Sequence, residues 1–263
     1  MTVLGAVLAG VVGLAVGSFL TVVAHRVPQR LSVVAPRSAC PRCGTTIRWY
    51  DNVPVVSWVL LRGRCRECAA PISARYLAIE SGTAALFVAM ALRFPVGSEA
   101  GWALPAYLYL AGLAVVLTVI DLAERRLPDA IVLPSYPVAA VLLVAASGGS
   151  GDWSALGRAA VGGVILWALY FVLMVVRPGG MGFGDVKLAG LIGTYLAWLG
   201  WGTLVVGAFA AFLLGGLFAV ALLLTGRAGR ASRIPFGPWM LLGALIGVGA
   251  GEAVWTAYLG SIG

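Results

Sequence analysis

Long, nearly uncharged runs of apolar residues divide the chain, and they limit how it folds. A bilayer core about 30 Å thick is crossed by roughly 20 apolar residues in a helix. The second and sixth of the runs are short, and a start near Phe183 also fits the sixth. The runs predict an all-α polytopic membrane protein of about eight transmembrane helices. They are Val3–Ala24, Leu77–Leu92, Leu104–Ile120, Ala130–Ala146, Ala159–Val176, Leu188–Leu199, Thr203–Leu224 and Pro235–Leu259.

Composition supports lipid as the solvent. Of the 263 residues, 61% are hydrophobic and only 11% are charged, whereas a soluble domain carries about 25% charged residues. Too few polar side chains remain to cover a soluble core. The 36 glycines fit close helix packing in a bilayer, because small residues let backbones approach each other.

The basic residues predict orientation rather than a nucleic-acid partner. The net charge is +8, but the Lys and Arg residues concentrate in particular loops, as the positive-inside rule expects. If the N-terminus lies outside, residues 25–76, which contain nine Arg, lie in the cytoplasm. The loops 121–128, 177–187 and 225–234 bring the cytoplasmic total to sixteen of eighteen basic residues. We expect a multi-pass protein of the cytoplasmic (inner) membrane with both termini outside.

Two spans matter most for this orientation. The first run has no basic segment before it, and its Arg residues follow it, so we expect a retained span rather than a cleaved signal peptide. The short run Leu188–Leu199 is the other. If it does not cross the membrane, every later span and the C-terminus take the opposite orientation.

All four cysteines lie in residues 25–76, as Cys40-Pro-Arg-Cys43 and Cys65-Arg-Glu-Cys68. Two CxxC pairs 21 residues apart match a zinc-ribbon arrangement. Four thiolates complete a tetrahedral shell, so the predicted zinc is structural rather than catalytic. It would stabilise a segment too small for a robust core of its own. The alternatives are free thiols or two disulfides, and disulfides require the opposite topology.

Two acidic residues fall at predicted membrane boundaries. Asp121 ends an apolar run, and Asp185 precedes another. With the orientation above, both lie near the cytoplasmic boundary on different helices. Two adjacent carboxylates cannot both ionise, so a pair shares one proton and can activate water while polarising a carbonyl. The alternative is a solvated helix end at Asp121 and a helix cap at Asp185.

The residues around Asp185 have expected supporting roles. Gly182 and Gly184 would allow close backbone approach and positive φ near the carboxylate. Lys187 is predicted to be an interfacial anchor, with tuning of Asp185 as the alternative. Asp129 is predicted to be the N-cap of the fourth span.

In combination, these residues resemble the prepilin peptidase family, the type IV leader peptidases. Matches run in order along nearly the whole chain. They are Gly17-Ser18-Phe19-Leu20-Thr21-Val22, His25-Arg26-Val27-Pro28, Cys40-Pro41-Arg42-Cys43-Gly44, Asn52-Val53-Pro54, Ser57-Trp58, Leu61-Arg62-Gly63-Arg64-Cys65 with Cys68, Ile72-Ser73-Ala74-Arg75-Tyr76, Glu80, Asp121 with Leu127-Pro128-Asp129, Gly182-Phe183-Gly184-Asp185-Val186-Lys187, and Pro235-Phe236-Gly237-Pro238.

The resemblance implies a membrane aspartic endopeptidase of the GxGD type with Asp121 and Asp185 as its catalytic dyad. Its substrates would be prepilins and pseudopilins of type IV pili and type II secretion. These carry a short basic leader ending in Gly before a hydrophobic helix, and cleavage after that Gly would occur on the cytoplasmic side. Many members also N-methylate the new N-terminus with S-adenosylmethionine, and those members typically carry the four-cysteine loop.

Two departures bear on methylation. Thr21 stands where the family usually has Asn, and Leu77 where Pro is common. No glycine-rich nucleotide fingerprint marks a methyl-donor site. Glu80, inside a predicted span, is expected to pair with Arg75, or alternatively to serve methylation.

The resulting organisation has four parts: 1–24, the first transmembrane helix; 25–76, the cytoplasmic four-cysteine domain; 77–120, the second and third helices; and 121–263, the peptidase membrane region. Anionic membrane lipids are expected to contact the basic loops. Two other functions compete: an ion transporter or channel, because intramembrane carboxylates often mark ion pathways, and a non-catalytic adaptor of a secretion machine.

Overall fold

The computed structural model describes residues 3–177, 179–226 and 235–262, and this part of the chain is helical. Two 3-10 turns, Trp49–Asn52 and Glu99–Ala103, and two isolated β-bridges complete its regular structure. Arg227, Arg230 and Arg233, predicted to lie in a cytoplasmic loop, fall outside the described residues. The helices are α1 (Val3–Arg26), α2 (Val56–Leu60), α3 (Ala74–Arg93), α4 (Leu104–Glu124), α5 (Asp129–Ser150), α6 (Ser154–Val176), α7 (Phe183–Leu199), α8 (Trp201–Leu224) and α9 (Gly237–Ile262).

Seven helices of the described chain are long and apolar enough to cross a membrane. They are α1, α3, α4 with its preceding 3-10 turn, α5, α6, α8 and α9. The predicted all-α, multi-pass membrane fold is therefore confirmed. The remaining predicted span, the sixth in chain order, corresponds to α7, which begins at Phe183 and has 17 residues.

The contacts of α7 show how it runs beside α6. Near the start of α6, Arg158 donates to the Trp198 carbonyl at the end of α7. Farther along, a Cβ on Gly163 would lie 3.1 Å from the Gly190 carbonyl oxygen, so α6 and α7 are antiparallel. Seventeen helical residues extend about 26 Å, and 11 of those in α7 are buried inside the protein. Because α7 is surrounded by other helices, its length need not match the lipid.

The chain forms two compact units. The first comprises Met1–Leu104 with Leu108–Val116, and the second comprises Pro105–Tyr107 with Leu117–Gly263. In the first unit α1 packs on α3 through glycines. A Cβ on Gly17 would lie 2.8 Å from the Glu80 Cα atom.

In the second unit, α6 packs on α7 and α8 on α9, and α5, α8 and α9 each contact α7. The α8–α9 pair is also antiparallel, since Gly251 approaches Thr203 while Gly215 approaches Phe236. Glycines predicted from composition to permit close packing thus lie at the helix contacts. One consequence is that the starts of α5, α7 and α9 meet the end of α4 at one end of this bundle.

We expect Gly243→Ala to destabilise the second unit. A Cβ at this position would lie 2.6 Å from both the Ala211 nitrogen and the Gly207 carbonyl oxygen. Both are backbone atoms, so relieving the overlap requires the helices to move apart. The expected cost is about 1–3 kcal/mol, measured as a lower unfolding temperature in detergent. Gly249→Ala on the same helix is the matched control, because a Cβ there meets nothing within 4 Å. It should be neutral or stabilising by up to about 1 kcal/mol, the helix propensity difference. Equal effects of the two changes would contradict this packing.

Candidate active site and candidate metal centre

Four helix ends converge around Leu127, in the turn between α4 and α5. A Cβ on Gly184, at the start of α7, would lie 3.1 Å from the Leu127 Cβ atom. A Cβ on Gly237, at the start of α9, would lie 3.4 Å from Leu127 Cδ2 and 2.7 Å from Asp121 Oδ2. This convergence brings together the two regions that carry Asp121 and Asp185.

Each of the two predicted catalytic carboxylates is fixed by a glycine amide. The Gly237 N–H donates to Asp121 Oδ2 at 3.1 Å, and the Gly182 N–H donates to Asp185 Oδ2 at 3.0 Å. Asp121 is only 4% exposed, whereas Asp185 is half-buried. Gly184, which precedes Asp185, lies against Leu127, and Gly237, whose amide binds Asp121, lies against the same leucine. The two carboxylates are therefore held at one end of the bundle, where they can share a site.

The glycines act differently from the prediction. Gly182 has φ −84°, and Gly184 lies within α7 without positive φ, so the expected positive φ near Asp185 is wrong. The expected close approach is present, because Gly184 lies against Leu127. Asp185 also caps α7, since its carboxylate reaches back to the amide that precedes the helix. That is the alternative role considered for it, and it leaves the carboxylate held in one position.

Gly237 is a site residue that sequence reasoning did not identify. Any side chain there would collide with the Asp121 carboxylate. The only sequence signal was the Pro235-Phe236-Gly237-Pro238 motif. Tyr170 was missed as well: it is buried, and its ring lies 6.2 Å from that of Phe236, the residue before Gly237.

Lys187 ties the start of α7 to the start of α5. Its Nζ donates to both carboxylate oxygens of Asp129, at 2.8 and 2.9 Å, and lies 4.8 Å from the centre of the Phe183 ring. The Tyr136 hydroxyl donates to the Lys187 carbonyl at 2.7 Å. Asp129 is the first residue of α5, and Pro128 occupies the N-cap, so the predicted N-cap role of Asp129 is wrong. Its carboxylate binds the lysine instead.

The four cysteines form a group that could hold a metal ion. The sulfurs of Cys40, Cys43, Cys65 and Cys68 all lie within 4.8 Å of one another. The Cys40 and Cys68 sulfurs are 3.8 Å apart. Ligands in a tetrahedral shell with metal–sulfur bonds of 2.3 Å are separated by about 3.8 Å, so the arrangement fits such an ion. No disulfide joins any two of the four in the structure, so all four sulfurs are positioned for a metal ion.

The two CxxC segments have the same backbone geometry. In the first, the Cys40 N–H donates to Thr45 and the Cys40 carbonyl accepts from Gly44. In the second, the Cys65 N–H donates to Ala70 and the Cys65 carbonyl accepts from Ala69. Hydrogen bonding to Thr45 lowers the pKa of Cys43 to about 6. Burial and hydrogen bonds to the other three cysteines raise the pKa of Cys68 to about 11, so the thiolate, which is the form that binds metals, is favoured at Cys43 rather than at Cys68.

Glu80 has a different partner from the predicted Arg75. It is buried in α3, and its Oε2 accepts the Val55 N–H at 2.7 Å. This contact ties the four-cysteine segment to a membrane helix of the first unit.

Comparison with known proteins identifies relatives along the whole chain. Residues 11–94 match the bacterial peptidase A24 N-terminal domain, and residues 108–220 match the type IV leader peptidase family. The chain is 35% identical, over 95% of its length, to 92% of a prepilin leader peptidase/N-methyltransferase from Aeromonas salmonicida. A protein of the same name from Pseudomonas putida is 34% identical, with 97% of this chain and 94% of that one covered. No solved structure matches the chain.

The repeated geometry of the CxxC segments generates a pair of opposite predictions. Gly44 and Ala69 occupy equivalent positions with φ of 71° and 54°. A non-glycine residue in this region costs roughly 1–2 kcal/mol. Ala69→Gly should therefore raise the chelator concentration needed to remove half of the bound metal, and Gly44→Ala should lower it. Changes in the same direction would contradict the shared geometry.

Proposed function

This chain belongs to the type IV leader peptidase family, and we propose that it removes the leader from prepilins and N-methylates the new N-terminus. The family supports the substrate class. Within the protein, the observation that carries the proposal is that Asp121 and Asp185 are each held by a glycine amide, at helix ends that converge on Leu127.

The chemistry we propose is that of an aspartic protease. One carboxyl of the pair is ionised and the other is protonated. The ionised member takes a proton from a water molecule, whose oxygen attacks the scissile carbonyl carbon. The protonated member donates to the carbonyl oxygen, forming a tetrahedral intermediate. Collapse breaks the C–N bond, and a carboxyl proton passes to the leaving amine. This sequence needs neither a metal nor a covalent intermediate.

The fixed carboxylates suit this chemistry. Since each Oδ2 already accepts a backbone N–H, the plane of each carboxylate is restricted before substrate binds. Such preorganisation means that little reorganisation is required in the transition state. The half-buried position of Asp185 leaves a route for water and for the peptide.

The position of the cluster suits a prepilin. Its hydrophobic helix would lie in the bilayer, and its basic leader would extend into the cytoplasm, so that the cleavage site meets the helix ends. We propose that these ends face the cytoplasm, with both termini outside the cytoplasmic membrane. Support comes from Arg125 and Arg126 beside Asp121, and from Lys187 beside Asp185, because basic residues favour the inner side.

For methylation we propose S-adenosylmethionine as the methyl donor. The support is the name of the relatives, prepilin leader peptidase/N-methyltransferase, together with similarity over almost the full length of both chains. When bound, the cofactor supplies an activated methyl group for the new amine. Its binding residues are not assigned.

For the four-cysteine group we propose a structural zinc ion held by Cys40, Cys43, Cys65 and Cys68. The support is the all-thiolate set, which suits zinc, and the sulfur separations. Four protein ligands leave no open coordination position, so the ion would stabilise the domain rather than take part in cleavage.

The proposal predicts that Asp121→Asn and Asp185→Asn each abolish leader removal. An amide cannot share the proton on which water activation depends. Purified protein in detergent would be incubated with a prepilin and S-adenosylmethionine, and the products read by mass spectrometry. Leader loss with an added methyl group is expected from the unchanged protein.

Glu252→Gln is the control for this experiment, because Glu252 lies in the same unit near Gly200, at the other end of the bundle. It should cleave normally. Activity in either aspartate variant would contradict the dyad. Absence of cleavage by folded, unchanged protein across several prepilins would favour the adaptor or transporter instead. Leader loss without methylation would leave only the peptidase.

The metal proposal predicts one zinc ion per chain by elemental analysis of the purified protein. Cys65→Ser and Cys68→Ser should each lower the zinc content, because three sulfurs no longer close the tetrahedron. Thr46→Ala, an exposed position in the same segment and outside the cysteine group, should leave it unchanged. Iron in place of zinc, or full zinc content in the cysteine variants, would contradict the assignment.

A further inference from the structure

Residues 53–61 of the first unit combine a short helix with an apolar, uncharged sequence. The stretch reads Val-Pro-Val-Val-Ser-Trp-Val-Leu-Leu, and Arg48 and Arg62 flank it. It includes the one-turn helix α2. Its place in the sequence, among cysteines and arginines, predicts a water-exposed loop. Its contacts indicate a different location.

The contact with Glu80 fixes the depth of this segment. Glu80 Oε2 accepts the Val55 N–H, and the Glu80 Cα atom is the close neighbour of Gly17 in α1. Glu80 lies six residues into α3, which is about 9 Å from the helix start at 1.5 Å per residue. Gly17 lies nine residues before the end of α1, or about 13 Å along its axis. Val55 is therefore beside the spans, well below their ends.

The first turn of α3 marks the membrane boundary. Helix α3 has 20 residues, just enough to cross a bilayer core of about 30 Å, and it carries Arg75 at its start and Arg93 at its end. If these arginines lie at the two interfaces, Glu80 is about 8 Å inside the hydrocarbon by helix rise. The Glu80 side chain points back toward the start of α3, so the Val55 amide that it binds lies between that level and the interface.

Most backbone N–H groups of the segment have acceptors within the protein, as a non-aqueous location requires. Besides the Val55 amide, the Val53 N–H donates to Ser57 Oγ, whose hydroxyl donates to the Tyr50 carbonyl. The Ser57 N–H donates to the Val53 carbonyl, and the Val59 N–H to the Val55 carbonyl. Trp58 Nε1 donates to the Ile72 carbonyl. At membrane depth every unsatisfied backbone group costs several kcal/mol, so this pattern suits lipid.

The outward side chains are apolar. Val56 is 50% exposed, Val59 57% and Leu60 76%. Comparable exposure occurs on the transmembrane helix beside it, where Val11 of α1 is 58% exposed. An exposed apolar surface beside the spans fits acyl chains. The flanking arginines fit anionic headgroups just above them.

We propose that residues 53–61 form a re-entrant segment that enters the bilayer, contacts lipid acyl chains through Val56, Val59 and Leu60, and is held at depth by the Glu80 carboxylate. The four-cysteine domain therefore contacts the membrane directly through this segment. Glu80 acts as a positioning residue. A carboxylate inside a span is costly unless it has a partner, and the Val55 amide is such a partner.

The test measures the depth of single side chains in liposomes of phosphatidylethanolamine and phosphatidylglycerol. A ketone-bearing amino acid placed at Leu60 or Val56 accepts a spin label without touching the native cysteines. Collision rates with oxygen, which concentrates in lipid, are compared with those of a water-soluble nickel chelate. Position 11 serves as the lipid control, and position 42, between Cys40 and Cys43, serves as the water control.

We expect oxygen to dominate at positions 56 and 60, as at position 11, and the nickel chelate to dominate at position 42. Dominance of the chelate at position 60 would place the segment in water and overturn the proposal. Low accessibility to both reagents would also overturn it, because the surface would then be covered by protein.

The role of Glu80 is tested with the label at position 60 and two further changes. Glu80→Gln keeps an oxygen that can accept the Val55 N–H, so the label should remain in lipid. Glu80→Leu removes the acceptor, and the label should shift toward the chelate. Metal content, measured in parallel, separates this shift from loss of the domain's fold. An unchanged depth in Glu80→Leu would overturn the anchoring role.

Discussion

The hydrogen bond from the Gly237 amide to Asp121 connects parts of the chain that are 116 residues apart. It exists only because position 237 has no side chain, since a Cβ there would lie 2.7 Å from the carboxylate oxygen. The contact fixes the start of α9 against the end of α4. Leu127 then lies against both Gly237 and Gly184, so the start of α7 joins the same cluster. The position of Asp185 relative to Asp121 depends on these glycine contacts.

An ion pair and a hydrogen bond stabilise this end of the bundle. Lys187 and Asp129 connect the starts of α7 and α5, and the Tyr136 hydroxyl binds the backbone of the same lysine. Helix α7 is short, but it is enclosed by four neighbours, so its ends can lie at the level that the site requires. The proposed peptidase therefore obtains a polar site at a membrane boundary without exposing polar backbone to lipid.

Features that depend only on nearby residues, namely the helices and the cysteine group, could be predicted from the sequence. The apolar runs predicted the helices, because a span must be apolar along about 20 residues. The start of α7 at Phe183 was also anticipated. The cysteine spacing predicted the grouping of Cys40, Cys43, Cys65 and Cys68, since a CxxC turn aims two sulfurs at one point. The choice of Asp121 and Asp185 rested on their rarity, their boundary positions and the resemblance to the type IV leader peptidases, and the catalytic role is a proposal.

Contacts between distant segments were not predictable in this way. Neither the Asp129 partner of Lys187 nor the Val55 partner of Glu80 follows from spacing, because each depends on how separate elements pack. Gly182 was expected to adopt positive φ, but the turn before α7 is extended there. Gly237 and Tyr170 carried no chemical signal of their own, since a glycine amide and a buried phenol acquire a role only from their neighbours.

The central claim is that Asp121 and Asp185 act as one pair that shares a proton. Infrared difference spectroscopy of the protein in lipid, with aspartate labelled by carbon-13, tests it directly. The account predicts one protonated aspartic acid band near neutral pH that disappears in both Asp121→Asn and Asp185→Asn. A spectrum without such a band, or a band that survives either substitution, would show that the two carboxylates titrate separately and would contradict the account.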